Sequence, residues 1–369
     1  MENHLNIVFS GDLSLTGIFK RKVLNNKEIF DEIIQSKIYK SDLFIANLEG
    51  PVYDNTHSDV ICQPLNAIDY LANRNIKVFN LANNHIFDFG KEGFNNTIEP
   101  IQKKPCSYFG AGADITEASK PLYISKNGIT LALIGLSHKE GMIAGRKQAG
   151  VFSIKHLHLL KKIAKQAKDN ADWVILNFHG GEEYTLYPTP YKRRLLHKMA
   201  NIAGVDLIIA HHSHTVQGME KVNNKTVFYS LGNFVFDYKA HNRSQYAHKG
   251  ILVELKMTKK DYEQQILPVY INKSEGLIEK GEDQFLQHFD KISEFKRYRQ
   301  KFMKEAYRFI NERQNTIQQH QSYTNKKTVP RVFRISFYIN LLKKFSDPFN
   351  RALFVEGMFY KTIQKLKIK

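Results

Sequence analysis

Over the first 284 residues, short apolar runs alternate with stretches whose apolar positions recur at helical spacing. The runs NIVFSG, DLFIANLEG, IKVFNLA, ITLALIGLS, ADWVILNFHG, VDLIIAHHS and TVFYSLGNFVF, followed by GILVELKM and QQILPVYI, predict strands. Amphipathic segments near 27–38, 65–74, 92–103, 155–169 and 190–203 predict the helices between them. Most of the runs are apolar at consecutive positions, which predicts burial on both faces, as when helices cover a sheet. The last two runs instead read as an antiparallel pair. The expected fold is therefore α/β, a sandwich of mixed β-sheets flanked by helices. No fixed-period repeat interrupts the pattern.

Composition fits that frame. A chain of 369 residues that is 42% hydrophobic and 12% aromatic can fill a substantial core in one large domain or two. No run approaches the roughly 18 apolar residues of a membrane span, and MENHLNIVFSGDLSL reaches polar residues too early for a signal peptide, so a cytoplasmic location is expected. Cys62 and Cys106 have neither disulfide-framework nor thiolate-zinc spacing. The net charge of +18 changes the picture more, because it is uneven: residues 285–369 hold 19 Lys and Arg against 6 Asp and Glu, leaving 35 against 30 before them. Two parts are expected, a domain over 1–284 and a basic helical C-terminal extension over 285–369. The first portion of the extension has the spacing of a helix docked on the domain. Residues 330–369 interleave aromatic and aliphatic with basic residues, which suits an interfacial helix on anionic lipid and equally a helical pair closing the fold or a dimer. With no recognition motif in this tail, nucleic acid is disfavoured as its partner.

Candidate chemistry lies where strands end. Asp12 follows IVFSG, Glu49 follows LFIANL, Asn84 and His85 follow VFNLAN, His179 follows WVILNF, and His211, His212 and His214 follow LIIA. Ligands of α/β sheets gather at the carboxyl ends of strands, so these groups can converge. Five histidines and two acids at one rim need a positive partner, and a pair of metal ions supplies it. Carboxylate, imidazole and amide oxygen suit Zn, Mn or Fe. If HSH is extended, His212 and His214 point the same way and His211 faces elsewhere.

The order GD, NLE, NNH, HGGEEY, HHSH with a following Gln, and YSLGNFVFD resembles the bacterial capsule-synthesis CapA family, also called the poly-γ-glutamate synthesis protein family. YFGAGADITEASKPLYI resembles it too, so the likeness covers about residues 5–272. The family's fold resembles the calcineurin-like metallophosphoesterases. By that resemblance two divalent ions (Mn, Zn or Fe) would be held by Asp12, bridging Glu49, Asn84, His179, His212 and His214. His85 would be catalytic and free of metal, protonating a leaving group. Asp88 would help orient it, and Glu183 would contact substrate or orient His179. Asn83 reads as turn chemistry and Asn233 as strand packing. Against the broader metallophosphoesterases, Leu13 and Ser14 replace the rest of a D-x-H motif and Glu49 replaces a bridging Asp, both of which resemble the CapA family; within that family's His-Trp-Gly motif, Gly180 stands in place of the Trp, which predicts a wider pocket beside His179.

The function the resemblance implies is a metal-dependent hydrolase in the biosynthesis of a capsule or other cell-surface polymer, poly-γ-glutamate or a phosphorylated glycan. The alternative is a non-hydrolytic, metal-binding component that handles or assembles the polymer. Expected partners are the anionic polymer or a phosphoester substrate, other capsule assembly proteins, and an anionic membrane touched through 330–369 at its inner face.

Overall fold

The structure, a computed structural model, describes residues 3–55, 60–138, 141–324 and 347–367. Its first sheet is built on β1 (Leu5–Ser14), which lies parallel to β2 (Leu43–Leu48), followed by β3 (Val78–Asn80) and β4 (Ser107–Phe109). On the other side of β1 come the antiparallel β14 (Lys249–Met257), β15 (Tyr262–Asn272) and β16 (Leu277–Lys280), while β13 (Asn233–Phe236) also pairs with β1. The second sheet runs β11 (Val216–Val222), β12 (Lys225–Leu231), β10 (Leu207–His211), β9 (Trp173–His179), β7 (Ile129–Ser137), β6 (Leu122–Lys126). A small ribbon joins β5 (Ala111–Gly112) to β8 (Gly150–Val151).

The two sheets face each other across one apolar layer, and helices cover their outer faces. In β1, Leu5, Ile7 and Phe9 point into the layer between the sheets while Val8 points outward. In β9, Trp173 and Ile175 point in and Val174, Leu176 and Phe178 point out. Both faces are thus buried, which is why these strands are apolar at consecutive positions. The helices α1 (Ile18–Leu24), α2 (Glu32–Lys40), α3 (Ala67–Ala72) and α4 (Gly90–Gln102) cover the first sheet, with Phe19, Ile34, Leu71 and Phe94 among their buried residues. The short α5 (Ile115–Ala118), with α6 (Leu157–Lys168) and α7 (Pro190–Ala200), covers the second. The fold is α/β with mixed sheets, as the pattern predicts.

Some elements differ from expectation. TVFYSLGNFVF reads as one strand but breaks at Gly232, whose φ of 71° turns β12 of the second sheet into β13 of the first. Strand β6 is short and half exposed, so its sequence carries no continuous apolar signal.

After β16, α8 (Gln284–Ser293) sends Phe289 and Ile292 into the layer between the sheets. Next come α9 (Tyr298–Thr324) and α10 (Pro348–Lys367), where Phe302, Ala306 and Phe309 pack with Leu353. The Tyr298 hydroxyl donates to Pro188 O at 2.5 Å and Leu186 N donates to Glu305 Oε1 at 2.7 Å, so α9 grips the loop before α7. Part of the segment read as interfacial, residues 330–346, lies outside the described residues. Among the described residues no helix is long and apolar enough to cross a membrane.

Candidate metal centre

The centre forms where β1, β2, β3, β9 and β10 end or bend. Asp12 sits inside β1 rather than past it. A Cβ on Gly11 would fall 2.0 Å from Gly232 O, so only glycine lets the strands approach there. Asp12 N donates to that same carbonyl at 2.9 Å, and the pairing register of β1 shifts around Asp12. Glu49 follows β2 directly, its N–H bonded to Leu13 O at 2.9 Å. Asn83 pins the turn after β3, donating to Leu48 O and accepting from His85 N, the role expected of it. His179 closes β9, in register with His211 of β10.

The bend after β10 is not extended. His212 and His214 have φ of 87° and 53°, and they converge because the chain folds back, not because alternate side chains share a face. His211 does not turn away from the site; it is buried with Nδ1 3.6 Å from Asp12 Oδ1.

Within this frame Asp12, Glu49, Asn84, His179, His212 and His214 come together. Glu49 belongs to two donor groups, one with His212 and His214 and one with Asp12 and His179, each with ligand atoms within 4.8 Å of one another. His179 Nε2 lies 2.8 Å from Asn84 Oδ1 and 3.1 Å from His212 Nδ1. His214 Nε2 is 3.8 Å from Glu49 Oε1, and its Nδ1 is 3.4 Å from Asp12 Oδ2. Neighbouring donors on one cation, each about 2.1 Å from it, stand roughly 3 to 3.5 Å apart, and the separations here run from 2.8 to 3.8 Å. Both Glu49 carboxylate oxygens are buried without a hydrogen-bond partner. A buried carboxylate with nothing to satisfy it is costly, and cations on both its oxygens would remove that cost. The residues fit a centre of divalent ions.

Electrostatics agree. Burial pushes the Glu49 carboxyl up to about 8, and the Asp12 charge adds to the rise while His214 opposes it. Burial, then the neighbouring imidazoles, drives His179 and His212 well below the ordinary range and so keeps their lone pairs available. His214 differs: burial acts downward, but the charges of Glu49 and Asp12 outweigh it and raise the imidazole. His85 is half-buried at the rim. Its Nδ1 lies 2.7 Å from Asp88 Oδ2 and its Nε2 3.9 Å from Glu49 Oε1. Burial would lower it, but the Asp88 hydrogen bond and the two carboxylate charges raise it.

Several residues here escaped the sequence reading. Asn47 donates to Asp12 Oδ1 at 2.9 Å and to His179 Nδ1 at 3.1 Å, and its own Oδ1 accepts from Asn80 at 2.8 Å. Asn47 lies two residues before Glu49, and polar residues inside otherwise apolar strands were the available signal for both asparagines. Asn233 does more than pack: its Oδ1 lies 3.0 Å from His214 Nδ1, and its Nδ2 donates to Ala247 O at 2.9 Å. Accepting the Nδ1 proton leaves the His214 Nε2 lone pair facing Glu49. His138, almost fully buried, stands against Gly180. A Cβ at 180 would fall 2.6 Å from His138 Cβ, so the missing side chain makes room for this imidazole rather than widening a pocket. Glu183 is near enough for its charge to act on Glu49 and His214. The hydrogen-bond partners of the His179 ring are Asn47, Asn84 and His212.

Residues 6–238, well over half of the chain, match the family described as bacterial capsule synthesis protein PGA_cap. The capsule biosynthesis protein CapA of Bacillus anthracis is 40% identical over 43% of this chain and 40% of its own length. The PGA biosynthesis protein CapA of Bacillus subtilis strain 168 is 33% identical over 63% of each. The match thus spans less than two thirds of either relative. Among solved structures, the calcineurin-like phosphoesterase YfkN of Bacillus subtilis aligns over 72% of this chain and 91% of its own, with 16% identity and a TM-score of 0.41.

Proposed function

The chain belongs to the bacterial capsule synthesis protein PGA_cap family, and from that premise we propose that it is a metal-dependent hydrolase in the synthesis of a capsule or related cell-surface polymer, poly-γ-glutamate or a phosphorylated glycan. The observation that carries the reading is Glu49, a carboxylate whose two buried oxygens lack partners and which is shared by two donor groups. Glu49 would hold one divalent ion with His212 and His214 and another with Asp12 and His179, with Asn84 beside His179, the ions being Mn, Zn or Fe. When bound, such ions supply Lewis acidity, polarising a substrate oxygen and acidifying a water. The chain's own residues do the rest. Asn47 holds the Asp12 carboxylate and the His179 ring in one orientation. Asp88 holds His85 by Nδ1, so that Nε2 is aimed toward Glu49 at the rim, where His85 protonates a departing oxygen or nitrogen. Glu183, close enough for its charge to act on Glu49, would contact substrate.

Elemental analysis with a screen of phosphodiesters, phosphomonoesters and γ-glutamyl peptides tests this. Glu49→Ala and His212→Ala should each lower bound metal and, with metal present, lower stability by mass action. Wild-type metal content in both variants would refute the ligand assignment. Full metal content without turnover on any substrate would instead make the protein a non-hydrolytic component that binds and hands on the anionic chain. Contact with an anionic membrane or with other assembly proteins belongs to the same proposal, favoured by Val355 and Phe359, which lie one helical turn apart on α10 and are more than half exposed.

A further inference from the structure

Behind the bend that carries His212 and His214 lies a lysine with no exposed surface. Lys192, near the start of α7, donates from Nζ to Ser213 Oγ at 2.9 Å and to Gln217 Oε1 at 3.0 Å. Its stem passes Gly181, where a Cβ would stand 2.7 Å from Lys192 Cδ. Gln217 Nε2 donates to Glu182 Oε1 at 2.8 Å, and buried Glu182 also accepts from Thr189 N at 3.1 Å and Thr189 Oγ1 at 3.0 Å. Taking an ammonium out of water is costly, and the Glu182 carboxylate beyond Gln217 offsets only part of that cost.

The place the ammonium reaches explains the arrangement. Ser213 lies between two non-glycine residues in the left-handed region, a strained conformation that persists only where its surroundings over-determine it. Ser213 is held at both polar ends: Tyr184 N donates to its carbonyl at 2.8 Å and Lys192 donates to its hydroxyl. Two residues on, Thr215 Oγ1 donates to Thr185 O at 2.7 Å. We infer that Lys192 is a positioning residue: through Ser213 it locks the bend on which His212 and His214 converge at Glu49. The consequence for metal rests on the proposed function, whereas the locking is a property of the chain alone.

Two variants of the full chain test this. Ser213→Ala removes the acceptor and keeps every charge; the double variant Lys192→Met with Glu182→Gln removes the ammonium together with its counter-charge. Hydrogen exchange at the amides of residues 212–215 is measured without metal, and cobalt(II) affinity and visible spectrum are measured by titration. Both variants should exchange faster at the bend by about tenfold, bind cobalt roughly 10–100-fold more weakly and shift its absorption bands. Leu160→Ala, a cavity in the core under α6, should lower Tm and leave the cobalt spectrum as in wild type. Unchanged bend exchange with an unchanged cobalt spectrum in both test variants would overturn the inference. If wild type takes up no cobalt while the variants still loosen the bend, the locking stands and the metal centre falls.

Discussion

His85 separates binding from chemistry at the scale of one residue. Its ring reaches Asp88 on one nitrogen and points the other toward Glu49 from 3.9 Å, too far for a hydrogen bond. Against the pull of burial, the Asp88 hydrogen bond raises its affinity for a proton, which suits a donor. His85→Ala should therefore keep the metal content of the wild type while turnover of whichever substrate the screen identifies falls by roughly 10². Metal lost along with activity would make His85 a ligand. Asn84 and His85 were legible as chemistry from their place after an apolar strand. Asn47 and Asn233 were not, because an amide inside a strand looks the same in sequence whether it packs or orients a neighbouring ring.

Between elements, α7 and β11 are tied by a cluster that bears on the site, since α7 carries Lys192 and β11 carries Gln217. Arg193 donates to both Glu220 oxygens at 2.9 and 2.5 Å, Tyr229 OH donates to Glu220 Oε2 at 2.8 Å, and His197 Nε2 lies 3.0 Å from it. Burial acts to raise the Glu220 carboxyl, but these hydrogen bonds and the Arg193 charge outweigh it and hold it at about 2. A depressed carboxylate stabilises the fold fully above its unfolded value near ~4.3 and loses that contribution as pH falls toward about 2. Glu220→Gln should thus be less stable than wild type by about 1–2 kcal/mol at neutral pH, after allowing for solvent screening, with the gap narrowing below pH ~4. Urea midpoints at pH 7, 5 and 3.5 measure it, and a gap independent of pH would refute the assignment. The elements themselves were largely readable, since strands buried on both faces announce themselves as apolar runs. The split at Gly232 was not, because the strand signal on either side of it is continuous.

For the whole molecule, the basic tail joins the domain on one side and offers α10 on the other. Leu353 packs against α9, while Val355 and Phe359 stay open to solvent. Replacing both with serine should leave Tm nearly unchanged and abolish salt-sensitive flotation of the full chain with anionic vesicles; equal recovery of wild type and variant in the soluble fraction would sink membrane contact. The sequence by itself determined the fold class and the cast of the centre, because burial on two faces and polar groups at strand ends are written locally, residue by residue. Only the tertiary structure decided how those residues meet. It brought β1 against Gly232 to aim Asp12, bent the chain after β10 so that His212 and His214 converge, and set Lys192 beneath Ser213 from a helix with no mark of the site in its own sequence. Such contacts depend on the distance between elements far apart in the chain, and a one-dimensional pattern does not carry that distance.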